Sequence, residues 1–408
     1  GETGGCDMNH VLGRKPLGRV PLGGHWILGE GGVITYSQPY RPGVFSVFVF
    51  NPDGTQRGRF GSDMGDNPVI KLEFELDENG CAGFTLTLGK LPGFALDYGD
   101  RVDIHLFDDV QPWYSGYVIS KPLAGSTSET YVYKGDGFVT QLKRILVNGS
   151  YENQDISVIV KNIIQTLVEP NTGILYRSSK IVPVGYVASR IEFAYTDANE
   201  AIKELAEFAA NYVYGVDAYR EFFFKPINTE INESARFTVG RHLSEYIPEE
   251  SIDNIINRIH VRTSNTSEEA SGILATVEDA GSQAAYGLRE AVKAIPSALT
   301  EADATQWGQT QLIRYKDPVA SATVKGVQLW YMTATGAYSV RKLTPEGKAR
   351  ITSEDGSVSR DYPISKVKYS VSSAGITCSL TLGDTSDHYE KIIVDLARRQ
   401  KQAELMDQ

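Results

Sequence analysis

The sequence predicts an α+β protein dominated by β-structure: two similar β-barrel domains, an intervening small α+β domain with helical segments, and a C-terminal helix. Three observations lead there. Apolar and polar residues alternate over about 44–140, two capped helical patterns lie between 155 and 210, and a second alternating region over about 319–384 repeats motifs of the first.

Residues 1–43 are glycine-rich and read as an extended arm, because glycine disfavours both helix and strand interiors. The first barrel is expected over 44–150. Ile70, Leu72, Phe74 and Leu76 alternate with Lys71, Glu73 and Glu75, and the Asn79-Gly80 turn signal leads into Phe84, Leu86 and Leu88. Val102, Ile104 and Leu106 continue the pattern, followed by strands near Tyr114–Ser120 and Thr130–Lys134. A small α+β domain is expected over 151–245. Asp155 or Ser157 caps an apolar helix that Pro170 ends, and Thr196 caps a second with Ile202, Leu205 and Phe208 on one face. A hairpin then turns near Asp217–Tyr219.

Residues 246–318 read as a connecting strand and helical segment, with helix-compatible stretches at 267–276, 282–294 and 300–315. Thr300 and Asp303 form a capping-box variant before the last. The second barrel is expected over 319–385, where Ile376, Cys378, Leu380 and Leu382 alternate with Thr377, Ser379 and Thr381. In the C-terminal helix, 386–408, Tyr389, Ile392, Ile393, Leu396, Ala403 and Met406 share roughly one face, which suits either packing on its own barrel or docking.

Composition narrows the function classes. With 408 residues, 41% hydrophobic and 22% charged, the chain is an ordinary folded protein of several domains. Its net charge of −11 and the absence of a dense Lys/Arg cluster argue against a nucleic-acid-binding surface. Arg398, Arg399 and Lys401 are interleaved with Glu390, Asp395 and Glu404, as on a solvated helix face. Cys6, Cys81 and Cys378 are too few and too odd for a disulfide framework, so a reducing compartment is expected. No stretch approaches the ~20 apolar residues of a membrane span, and stable membrane insertion is not expected.

HExxH, CxxC, GxSxG and the P-loop are absent, and His10, His25, His105, His242, His260 and His388 are scattered without i,i+4 spacing. Asp108-Asp109 is a paired acid, but it lies where a hairpin turn prefers Asp. Glu249-Glu250 and Glu268-Glu269 read as solvated faces. Asn148, Asn232 and Asn265 open Asn-x-Ser triplets, which recur by chance. Trp113, Tyr114 and Tyr117 could form a sugar platform, with barrel packing the simpler reading. No catalytic, cofactor-binding or metal-binding residue is assigned, no cofactor is expected, and the protein reads as a non-enzyme.

The two β regions look like copies. Tyr117-Val-Ile-Ser-Lys121 leads through a small-residue loop into Tyr131-Val-Tyr-Lys-Gly-Asp136, and Tyr362-Pro-Ile-Ser-Lys366 leads similarly into Thr381-Leu-Gly-Asp384. Upstream, Tyr98–Ile104 matches Pro345–Ile351, each with a glycine turn before a strand. Three chains of two barrels each would place six similar units about one axis.

The order of these features resembles the baseplate hub (tail-tip) family of bacteriophage tails, across about residues 40–390. The resemblance rests on Tyr133–Phe138, Leu142–Ile145, the helix at 155–168, the Thr196–Ala210 helix, Phe222–Pro226, Ile252–Ile259, Tyr286–Glu290 and Leu380–Asp384. It implies tail-tube-like barrels and a homotrimer forming a pseudo-sixfold ring. The implied neighbours are a distal tail or tail tube protein, the tape measure protein and a spike, tip or receptor-binding protein. DNA would be present only in transit, and the location would be the virion tail, after synthesis and assembly in the host bacterial cytoplasm. The alternative functions are a tail-associated cell-wall hydrolase or peptidase and a carbohydrate-binding tail adhesin. Many relatives carry an appended enzymatic or adhesin module, whereas this chain ends soon after its second barrel.

Overall fold

The computed structural model describes residues 24–28, 34–39, 44–64, 67–90, 94–107, 109–123, 128–209, 211–263, 272–295, 300–332 and 338–383. The expected C-terminal helix at 386–408 lies outside them. Within the glycine-rich arm, β1 (Gly24–Leu28) pairs with β2 (Ile34–Pro39) as an antiparallel hairpin. The aromatic and β-branched residues Trp26, Ile27, Ile34, Thr35 and Tyr36 override the local glycine content there.

The first β region comprises β3 (Phe45–Phe50), β4 (Gln56–Gly61), β5 (Val69–Asp77), β6 (Gly80–Leu88), β7 (Arg101–Leu106), β8 (Tyr114–Ser120) and β9 (Tyr131–Gly137). The alternation does what its period requires. Leu72, Phe74 and Leu76 are buried while Glu73 and Glu75 face the opposite side.

Next come β10 (Leu146–Asp155), α1 (Ile156–Ile163), β11 (Val187–Asp197), α2 (Ala198–Phe208), β12 (Tyr212–Val216) and β13 (Phe222–Pro226). Asp155 caps α1 by accepting from Ser157 N at 2.8 Å. The cap of α2 is Asp197, which accepts from Glu200 N at 3.0 Å, and not Thr196. Thr196 is still held in the ladder opposite Val147. The β12–β13 hairpin forms where expected.

The remaining elements are β14 (Ile231–Thr238), β15 (Glu245–Ser251), β16 (Arg258–Thr263), β17 (Ile273–Glu278), α3 (Ala280–Tyr286), β18 (Glu290–Ile295), α4 (Glu301–Tyr315), β19 (Val319–Lys325), β20 (Trp330–Met332), β21 (Tyr338–Val340), β22 (Lys348–Thr352), β23 (Ser359–Ser372) and β24 (Gly375–Leu382). Two helical expectations fail here. The described end of 267–276 is strand β17, and most of 282–294 is split between α3 and strand β18. Gly287, with φ +78°, stops α3, and β17 and β18 both pair with β16, a non-local gain that helix propensity does not register. The last expectation holds. Thr300 caps α4 by accepting from Asp303 N at 3.2 Å.

The two β regions share one topology. In the first, neighbouring strands run β5-β6-β9-β8-β7-β3, and in the second β15-β19-β24-β23-β22-β14. Taken in chain order, each strand of one set falls at the same place as its counterpart in the other. The first four pairings of each set, the fourth being β7–β8 and β22–β23, are antiparallel in both. They differ only at the end, where β3–β7 is antiparallel and β14–β22 parallel. β14 and β15 precede residue 319 yet belong to the second sheet, and residues 252–318 are inserted between β15 and β19.

The repeats also join. Residues Lys366–Val371 of β23 pair antiparallel with Leu72–Asp77 of β5, so one sheet runs from β15 at one edge through both repeats to β4 at the other. Their apolar faces share one core, in which Phe74 stacks on Tyr369 at 5.1 Å. A second core unites α1, α2, β11 and β13 with β16, β17 and α4 of the insertion. Trp307 Nε1 of α4 donates to Glu207 of α2 at 3.1 Å across it, and the Tyr186 hydroxyl donates to the buried Asp303.

Candidate assembly face

The β5–β23 junction is where two repeats become one surface, and its two faces differ in chemistry. Leu72, Phe74 and Leu76 meet Val367, Tyr369 and Val371 on the core side. On the opposite side Glu73 and Glu75 of β5 face Lys366 and Lys368 of β23. Lys368 Nζ lies 3.3 Å from Glu75 and 3.7 Å from Glu73, Lys366 Nζ lies 3.6 Å from Glu75, and Lys71 Nζ lies 2.9 Å from Glu73. A hydrogen bond from Lys71, with the charge of Lys368 nearby, holds the Glu73 carboxyl below the usual carboxylate range.

Single exposed pairs of this kind contribute about 0–1 kcal/mol each. Their larger consequence is register, because a one-residue slip would set lysines against the apolar side. The polar face continues across the sheet through Thr85 and Lys134 on one side and Thr381 and Thr323 on the other. Among the described residues it is mixed in charge, with acids and lysines interleaved.

Asp77, at the end of the junction, behaves differently. Burial pushes its carboxyl up to about 6, although it accepts a hydrogen bond from Asn79 N at 2.8 Å. A carboxyl raised above its unfolded value of 3.8 favours the fold most fully below about pH 4, and that contribution disappears as pH rises through about 6. Asp77→Asn should therefore match the parent chain near pH 4 and exceed it above pH 7 by about 1–2 kcal/mol, part of the ~3 kcal/mol that a rise from 3.8 to about 6 represents. Urea denaturation at pH 4 and pH 7.5 measures this difference, and equal offsets at both pH values would refute the assignment.

The residues weighed in the sequence fall into structural roles. Trp113, Tyr114 and Tyr117 are buried, and Tyr114 donates to Ala82 O at 2.6 Å, so they form no open sugar platform. Asp109 accepts from Trp113 Nε1 at 3.0 Å and lies 3.4 Å from Lys342, while Asp108 is outside the described residues. His105 contacts Asp109 O, His242 accepts from Thr238 N, and His260 reaches Thr276 and Glu290. Among the described residues no three His, Cys, Asp or Glu side chains converge as metal ligands, and no helix is long and apolar enough to cross a membrane. Burial raises the Cys81 thiol to about 12, which makes it an inert core residue. Asn232 closes a turn with Ser234 N at 3.0 Å. Glu249 and Glu250 are exposed on the edge strand β15.

Sequence reading missed the Lys/Glu ladder as a site. The signal was present as charged alternation in Lys71, Glu73, Glu75, Lys366 and Lys368, but nothing local says that the two strands meet.

No protein-family model and no curated protein matches the chain. Solved structures do. The 43 kDa tail protein of prophage MuSo2 from Shewanella oneidensis superposes with a TM-score of 0.58 at 14% identity, over 83% of this chain and 98% of that one. This chain has the fold of phage tail proteins. The tail protein of Neisseria meningitidis MC58 gives a TM-score of 0.57 at 12% identity, covering 84% and 96% of the two chains. Prophage tail protein gp18 of Listeria monocytogenes EGD-e gives 0.52 at 11%, covering 87% and 99%.

Proposed function

We propose that this chain is a structural baseplate hub, or tail-tip, subunit of a phage tail, and that three copies form a pseudo-sixfold ring. The ring would join the hexameric tail tube or distal tail ring to a threefold tip or spike, contact the tape measure protein, and line the channel through which DNA passes. The observation that carries this reading is the shared strand order of the two repeats together with their edge-to-edge continuity in one sheet. A chain that already places two like units side by side needs three copies to present six.

In this reading the domain division is two tube-like units, about 44–150 and 231–383, with 151–230 between them and 252–318 inserted in the second. The mixed-charge sheet face suits a channel wall. DNA would meet alternating acids, lysines and threonines, screened over about 8 Å at physiological salt, and would slide without being held. The role is passive mechanics and needs no catalytic group.

Light scattering on the purified chain should give a mass of about 134 kDa, three times the 44.8 kDa protomer, and negative-stain images should show rings with six lobes. A mass of one protomer at every concentration would overturn the trimeric reading.

A further inference from the structure

We infer that the free edge of β15 is completed by the end of β8, residues Ser120–Leu123, from a second copy of this chain. The register would be the one that joins β5 to β23 within a chain. The inference deepens the ring reading above and rests on it.

The argument begins at a shared irregularity. β23 carries a bulge between Ile364 and Lys366, and β8 carries one between Val118 and Ser120, each against the last strand of its repeat. Just before each bulge the strand is tied to its other neighbour by the same bond. Val118 N donates to Asp100 O at 2.9 Å, and Ile364 N donates to Gly347 O at 3.1 Å. Val118 therefore corresponds to Ile364 and Ser120 to Lys366, which places Lys121, Pro122 and Leu123 at the positions of Val367, Lys368 and Tyr369.

Beyond its bulge β23 changes neighbours, leaving β22 and pairing with β5. Beyond its own bulge β8 has no strand on that side among the described residues. The consequence is visible at Leu123. It is 76% exposed where its counterpart Tyr369 is fully buried.

The other half of the junction is also open. Glu73 lies opposite Thr85, which lies opposite Lys134; in the second repeat Ile247 lies opposite Thr323, which lies opposite Thr381. Lys134 and Thr381 sit at matched positions beside the two bulges, so Ile247 stands for Glu73, Pro248 for Phe74 and Glu250 for Leu76. β5 has strands on both sides, whereas β15 is bordered only by β19 among the described residues.

Carrying the register over sets Leu123 of one copy against Pro248 of the next, in the places of Tyr369 and Phe74. It also sets Lys121 against Glu250, opposite charges directly across the strands. Pro122 and Pro248 each lack an N–H. The ladder is consequently short and selective, as edge strands that must not pair indiscriminately tend to be. Because the contact is head-to-tail and repeats the internal junction, it does not stop at a dimer, and in the ring proposed above it closes after three copies.

The test uses the full chain with Cys6→Ser, Leu123→Cys and Pro248→Cys. Opposed Cβ atoms in such a pair lie about 4.5–5.5 Å apart, close enough for a disulfide after small adjustment. Mild oxidation should yield covalent dimers and trimers on non-reducing gels, and neither single cysteine alone should produce the trimer. Independently, Glu250→Lys should weaken trimer association by at least about tenfold, since three junctions change together, and adding Lys121→Glu should restore it. Glu250 lies at the surface, so the melting temperature of Glu250→Lys should stay near that of the parent; Lys121 also pairs with Asp97 at 2.6 Å within its own chain, so the double variant is read against Lys121→Glu alone. Trimers that form without the cross-link and ignore Glu250→Lys overturn this junction while leaving the ring intact. A parent chain that stays monomeric overturns both.

Discussion

Tyr369→Ala is expected to destabilise the protein by about 4 kcal/mol, within the ~3–5 kcal/mol typical of removing a buried aromatic ring. Tyr369 is fully buried where β23 meets β5. Its ring stacks on Phe74 at 5.1 Å and meets the edge of Trp113 at 5.3 Å. Its hydroxyl accepts from Leu343 N at 3.0 Å and donates to Leu343 O at 2.9 Å. Alanine removes packing from both repeats at once and orphans two backbone groups. Tyr369→Phe separates the contributions: it keeps the ring and should cost about 1–3 kcal/mol, the penalty of buried groups left without partners. Urea denaturation monitored by tryptophan fluorescence reads both. A loss below about 1 kcal/mol for the alanine variant would mean that the repeats do not depend on a shared core.

How far the sequence could be read depended on whether the deciding contact was local. β5, β6 and β7 were legible because one buried face imposes a period of two on their own residues, and the hairpin over Asn79-Gly80 closes within the same stretch. The helix N-caps were legible to within a residue; Asp197 in place of Thr196 is settled by the β10–β11 ladder, which still holds Thr196. The repeat was found through the right elements. The Tyr98–Ile104 match to Pro345–Ile351 even sets Asp100 on Gly347, as the backbone bonds do.

The other motif match is one residue out of register. Spelling aligned Ile119 with Ile364, but the bulges align Val118 with Ile364. Val118 and Ile364 are both buried, whereas Ile119 is exposed. A strand carries its identity in which side chains face the core, and a shift of one residue reverses that. What stayed illegible was non-local. β17 and β18 owe their conformation to β16, and β15 reaches its partner β19 only across the insertion at 252–318. The Lys/Glu ladder was hidden for the same reason, since Lys368 and Glu75 are far apart in sequence and opposite each other in space.

Gly80→Ala should cost about 3 kcal/mol, and the reason exceeds the turn that the Asn79-Gly80 pair announces. Gly80 has φ +100°, a conformation that adds about 1–2 kcal/mol of strain for an L-residue. In addition, a Cβ there would lie 2.0 Å from Val216 O, a backbone atom of β12 with little freedom to retreat. The approach is fixed from both sides. Val216 N donates to Asn79 O at 2.9 Å and Asn79 Nδ2 donates to Tyr214 O at 2.7 Å, so the tip of the β5–β6 hairpin is bonded to the β12–β13 hairpin. Gly54→Ala supplies the comparison, because Gly54 has φ +89° with nothing within 4 Å of the added carbon. That variant should show the strain alone, about 1 kcal/mol. The difference between the two measures the close docking of the segment after the first repeat onto the repeat itself, and hydrogen exchange should report it as faster exchange at Val216 N–H in Gly80→Ala only. Equal losses for both variants would reduce Gly80 to an ordinary turn residue and leave the close approach to β12 without energetic weight.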